Sequence, residues 1–149
     1  MVIQLLVGSF VVALTIATAA VFMGVAIRLL KRAGPMLAKP PHMLKTIISL
    51  TGVTLWLLAA ISLSVWIWAG AFLVLGLFSA VEPAVYFSIV SFTTLGFGDI
   101  ILPVPWRLLS GICAANGLLL FGLSAAFLVE FVRGLIKAQE EHVKSRRKT

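Results

Sequence analysis

Three long apolar runs, separated by clusters of proline, glycine and basic residues, set out the chain. Residues 1–27 contain no charged side chain, and a run of that length crosses a hydrocarbon core of about 30 Å as a tilted helix. The pattern predicts a first helix over residues 1–30. The amino end lacks a basic region and the run is too long for a cleaved signal peptide, so it reads as a retained anchor. Gly34-Pro35 and Pro40-Pro41, set among Arg28, Lys31, Arg32, Lys39 and Lys45, predict a helix stop and a basic connecting loop over residues 31–45. The second uncharged run, residues 46–81, would measure roughly 54 Å if wholly helical. That exceeds one crossing, so it divides into a helix at 46–70 and an apolar turret at 71–82. Trp66 and Trp68 are expected at the outer interface, and Trp56 against lipid or another helix. Glu82-Pro83 predicts a helix start, with proline tolerated in the first turn and the acid near the positive end of the dipole. The helix that follows, 83–92, is too short to cross. Pro103 and Pro105 interrupt the chain, Trp106 and Arg107 mark an interface, and a third apolar run predicts a helix at 106–133. The tail, 134–149, reads as a solvated helix or one lying on lipid.

Composition turns this pattern into a class. Of 149 residues 61% are hydrophobic and 11% charged, outside the range of soluble domains. The expected fold is an all-α membrane protein. A net charge of +7 does not point to nucleic acid, because the cations sit beside apolar runs; anionic lipid headgroups are the expected partners of the basic loop and tail. Arg28, Lys31, Arg32, Lys39 and Lys45 form one cluster, and Arg133, Lys137, Lys144, Arg146, Arg147 and Lys148 a second. Both fall on one side of a three-span topology. The positive-inside rule makes that side cytoplasmic, with the amino terminus outside and the protein in a plasma (inner) membrane. Cys113 is the sole cysteine and reads as a small packing residue.

Between the second and third runs lies Thr93-Thr94-Leu95-Gly96-Phe97-Gly98-Asp99. Glycine at every second position lets an extended strand alternate its backbone conformation without a Cβ clash, which aims successive carbonyls the same way. Paired glycines also serve close packing and tight turns, but the double threonine, Asp99 and the apolar surroundings narrow the choice. Residues 94–98, TLGFG, resemble the TVGYG selectivity filter of the potassium channel superfamily. About 60% of the chain resembles that superfamily's pore module, of the small prokaryotic type, with an extra amino-terminal helix.

The resemblance implies three spanning helices, a re-entrant pore helix at 83–92, an extended filter at 93–99, and a homotetramer, since one chain carries one filter strand. It implies potassium held by the carbonyls of Thr94, Leu95, Gly96 and Phe97, with Gly98 completing the motif and the Thr94 hydroxyl closing the inner end. Thr93, Asp99, Tyr86, Phe87 and Val90 are implied as support, Tyr86 either bonding Asp99 or standing as an interfacial tyrosine. Gly117 lies where a hinge glycine is expected, although Gly117 and Gly122 equally suit close helix packing. Asn116 reads either as a cavity residue or as a packing contact. Glu82 and Asp99 would make the outer mouth negative, or Glu82 serves only its helix start. No cofactor is expected beyond potassium as permeant ligand, and no clustering of residues suggests an enzyme. A non-selective cation pore and a non-conducting scaffold subunit are the competing functions.

Overall fold

The computed structural model describes residues 2–37 and 42–146. It consists of four α-helices in the order α1 (Val2–Leu37), α2 (His42–Val74), α3 (Val81–Phe92) and α4 (Arg107–Arg146), the last preceded by a 3-10 turn at Val104–Trp106. Among the described residues there is no β-strand. Stretches of α1, α2 and the 3-10 turn with α4 (Val2–Gly34, Met43–Val74 and Val104–Glu140) are long and apolar enough to cross a membrane. The chain is an all-α membrane protein.

The long helices outrun their predicted ends. α1 continues through Gly34-Pro35 to Leu37, so residues 31–45 are not one loop. Pro35 stands in the last turn, where its missing N–H removes one bond near an end that is about to fray. Pro40-Pro41 and Lys39 lie outside the described residues. α2 reaches Val74, four residues beyond the predicted end and into the expected turret. α3 begins at Val81 rather than 83, with Ala80 in an extended conformation at its N-cap. α4 does not end at 133 but runs on to Arg146, and no proline or glycine after Gly134 interrupts it.

The stop of α2 has a local cause. Gly76 takes a φ of 68°; its N–H reaches Leu73 O at 2.9 Å and that of Leu77 reaches Phe72 O at 3.0 Å. These two bonds define a Schellman turn with glycine in the left-handed position. Leu77 and Phe72 both join the neighbouring apolar cluster, which supplies the motif's usual hydrophobic contact.

The chain forms two compact units, and each long helix contributes a segment to both. The first comprises the chain up to Ala19 and Ala60–Gly122. Its core is aromatic: ring centroids lie 5.6 Å apart for Trp68 and Phe72, 5.3 Å for Phe72 and Phe87, and 5.4 Å for Phe78 and Phe87. Trp68 is fully buried here, whereas Trp66 is exposed. Helical register explains the difference, since two positions apart on a helix point to opposite sides. α1 packs tightly on α4 in this unit: a Cβ added to Gly8 would lie 2.7 Å from Ile112 Cδ1.

The second unit comprises Ala20–Ala59 and the chain from Leu123 onward. Ala26, Val53 and Phe131 form its buried centre. Trp56 lies against Phe22, with ring centroids 4.7 Å apart, and its Nε1–H donates to Phe22 O at 2.9 Å. Mid-span Trp56 therefore packs on a helix and satisfies its polar atom there. Gln139 Nε2 donates to Thr46 Oγ1 at 3.1 Å and ties α4 to α2.

Candidate ion-conduction site

The site is built on the carboxyl end of α3. Ala84, Phe87, Ser88, Val90 and Phe92 are buried along α3, and Ser88 returns its hydroxyl to Ala84 O at 2.7 Å rather than leaving it unpaired in the core. Phe92 O abuts Gly117, and a Cβ at Gly117 would overlap that oxygen and lie 2.7 Å from the Phe92 carbonyl carbon. Gly117 is ten positions into α4, so the end of α3 lies about 15 Å along that helix. The short helix thus stops part-way down the long one.

The chain then turns back through a second Schellman motif. Thr93 caps α3 with φ −81°, Thr94 N–H reaches Ser91 O at 2.9 Å, and Leu95 N–H reaches Val90 O at 3.0 Å. The left-handed residue is Thr94, at φ 59°. Glycine occupies the equivalent place at the end of α2, and a β-branched residue there carries strain of order 1–2 kcal/mol. Gly96 N–H also reaches Val90 O, at 3.2 Å. One carbonyl of α3 therefore accepts from two successive residues of the following segment.

Beyond the turn, Gly96 has φ 58° and Gly98 φ 79°. Positive φ at Thr94, Gly96 and Gly98 gives an alternation of period two along residues 94–98. The segment ends level with the middle of α3, where Tyr86 Oη donates to Asp99 Oδ2 at 2.6 Å. Residues 93–99 therefore run back alongside the helix that delivered them. The hydrogen bond holds the Asp99 carboxyl below its ordinary range, burial and the local amides being smaller influences, and it raises the Tyr86 phenol above its own. Asp99 is an anion at neutral pH.

All seven residues 93–99 are exposed in the single chain, including Leu95 at 56% and Phe97 at 66%. Backbone that is neither helix nor paired strand is tolerated at membrane depth only inside protein or against water.

The residues singled out in the sequence fall into distinct places. Val90 supports the turn through its carbonyl while its side chain is buried. Thr93 donates its hydroxyl to Ile89 O at 2.7 Å, back toward α3. Phe87 is buried among Phe72 and Phe78, on the face of α3 that packs on α2. Asn116 does not open onto a cavity. It is 2% exposed, and its Nδ2 donates to Thr15 Oγ1 of α1 at 2.7 Å. Gly117 is a close-packing glycine in an unbroken helix, whereas a Cβ at Gly122 would meet nothing within 4 Å. Glu82 is exposed in the first turn of α3. The sequence did not bring out Thr15 or Gly8, which act through a helix whose partner no local pattern names, nor the carbonyls of Phe92 and Ser91, which act through the backbone alone.

Three apolar helices of spanning length, with a short helix and a turned-back segment between the second and third, define a membrane protein with a helix-and-return hairpin. A family model described as Ion channel matches residues 55–134, more than half of the chain, and the chain belongs to that ion-channel family. The voltage-gated potassium channel regulatory subunit KCNG3 of Mus musculus is 36% identical over 52 residues, 34% of this chain and 12% of that protein. The Rattus norvegicus and Homo sapiens forms match to the same extent. The chain thus spans about an eighth of the length of these relatives. No solved structure matches significantly.

Proposed function

We propose that four copies of this chain surround one axis and conduct potassium selectively and passively through a filter made of residues 94–98. The observation that carries this reading is the period-two alternation of positive φ at Thr94, Gly96 and Gly98. A strand so folded turns consecutive carbonyls of Thr94, Leu95, Gly96 and Phe97 toward a common side, where four strands replace the hydration shell of a dehydrated cation. Several ions in line repel one another, which keeps binding from becoming a trap. Tyr86 and Asp99 brace the outer end, and Asp99 with Glu82 gathers cations at the mouth. Membership of an ion-channel family and similarity to a potassium channel subunit support the assignment. The distribution of basic residues supports a cytoplasmic carboxyl terminus, an outer amino terminus and a plasma (inner) membrane location, with anionic lipid at the basic segments. No catalysis and no cofactor enter the mechanism.

Purified protein in liposomes is expected to pass potassium far faster than sodium, and Gly96→Ala, which forces a Cβ into a φ of 58°, to abolish flux. Equal sodium and potassium flux would replace selective conduction with a non-selective cation pore. A second reading has its own support: the similar relatives are regulatory subunits, which favours a mixed tetramer in which this chain supplies one filter strand among others. Protein purified alone that forms no tetramer and passes no ion would favour it.

A further inference from the structure

The amino-terminal helix α1 has no part in the hairpin, yet it meets α4 at the level where the hairpin rests. In the first unit Val11 and Ala19 of α1 and Cys113 and Leu120 of α4 share one apolar cluster, and the positions between them, Thr15 and Asn116, are buried polar residues. Toward the amino end of α1, Gly8 lets the two helices close up on Ile112. Two turns further along, Asn116 Nδ2 donates to Thr15 Oγ1 at 2.7 Å. The direction of that bond is fixed, because the single hydroxyl proton of Thr15 is spent on Val12 O at 2.8 Å. Only the amide N–H of Asn116 can face the Thr15 oxygen.

The next residue, Gly117, looks about 100° away around the helix and meets Phe92 O at the end of α3. α4 therefore carries its bond to α1 and its seat for α3 on adjacent residues. The seat has no slack, since a Cβ there would overlap the oxygen. Rotating α4 by about 20° moves a Cα at a radius of about 2.3 Å through about 0.8 Å, enough to open or crush the contact. The two carbonyls before Phe92, those of Val90 and Ser91, hold Thr94, Leu95 and Gly96, so a displaced end of α3 displaces residues 94–98. Asn116 is also a poor choice for packing alone. It is 2% exposed and, among the described residues, its Oδ1 has no hydrogen-bond partner. An unpaired buried acceptor is costly, and leucine would fill the place without that cost. What asparagine adds is one directional bond to one atom of α1.

We infer that α1 sets the filter from outside the pore module: Asn116, held by Thr15, is a positioning residue that fixes the rotation of α4, and with it the seat of α3 and the geometry of residues 94–98. The inference rests on potassium conduction through those residues for its ion readout, and it has a second readout that does not.

Full-length protein in liposomes is compared with Asn116→Leu, Thr15→Val and Thr15→Ser. Potassium-over-sodium selectivity is a ratio that the amount of folded protein leaves unchanged. It is expected to fall in Asn116→Leu and Thr15→Val by roughly 3- to 16-fold, the equivalent of one hydrogen bond between membrane helices. Thr15→Ser keeps the hydroxyl and should retain the wild-type ratio. Hydrogen exchange at the Leu95 and Gly96 amides, followed by mass spectrometry, should quicken in the same two variants and not in Thr15→Ser. If Asn116→Leu does not fold, Thr15→Val against Thr15→Ser makes the same comparison from α1. With a selective wild type, an unchanged ratio in the variants that lose the bond overturns the inference and leaves α1 an anchor. A wild type that passes both ions alike removes potassium selectivity from the proposed function, and exchange then decides: quickened exchange supports the positioning role, and unchanged exchange overturns it.

Discussion

Replacing Gly117 by alanine tests how α3 is seated. The new Cβ would overlap Phe92 O and lie 2.7 Å from the Phe92 carbonyl carbon and 3.0 Å from its Cα. These obstacles are backbone, so no rotamer change relieves them. Overpacking of a tight contact costs about 1–3 kcal/mol, and a backbone neighbour places this case near 3 kcal/mol. For a chain of this size that is a fall of roughly 6–12 °C in apparent Tm. The alternative to strain is for α3 to lift away from α4, which drags the Val90 and Ser91 carbonyls that hold Thr94, Leu95 and Gly96. Gly117→Ala is therefore expected to lose both thermal stability in detergent and potassium flux. Gly122→Ala is the internal control, since its Cβ meets nothing within 4 Å; helix propensity makes it neutral or up to about 1 kcal/mol stabilising. A Gly117→Ala protein with unchanged Tm and altered gating would refute the packing argument and restore the hinge.

Three further outcomes follow from the geometry. The Tyr86–Asp99 bond lowers the Asp99 carboxyl and raises the Tyr86 phenol, so its contribution is complete between the two ordinary values. It fades as pH falls through the lowered Asp99 value and again as pH rises through the raised Tyr86 value; Tyr86→Phe should therefore move the acid loss of flux to higher pH in a liposome assay. Thr94→Gly removes the left-handed strain of a β-branched residue and should raise apparent Tm by a few degrees, for about 1 kcal/mol, while potassium-over-sodium selectivity drops with the lost hydroxyl; a fall in Tm would contradict the strain. Asn116→Ala should loosen α1 from α4 by about 0.6–1.7 kcal/mol, the range of hydrogen bonds between membrane helices, and Thr15→Val should add little on top of it in a double-mutant cycle.

The hairpin was legible in the sequence because its chemistry is local. Gly96 and Gly98 announce alternating φ whatever surrounds them, and Glu82-Pro83 announces a helix start within two residues. The turn between them was not, because it depends on the carbonyls of Val90 and Ser91, and every residue has a carbonyl. The motif points to the carbonyl and hydroxyl of Thr94, and gives no sign of the left-handed backbone conformation that Thr94 takes at the turn. Asn116 shows the same limit from another side: a polar residue at membrane depth declares a need for a partner without naming it, and Thr15 lies 101 residues away. The helices run longer than proline and basic residues suggest, because Pro35 is absorbed in a last turn and the charges of residues 134–146 are carried on a helix.

The shared acceptor at Val90 has one more consequence. Leu95 and Gly96 each hand their amide proton to the same oxygen, so neither keeps a positive pole to offer a visitor. Chloride arriving beside these two residues would find them without a free donor, whatever its radius. In the proposed filter, sorting by sign of charge would begin with the wiring of this turn, ahead of any discrimination by size.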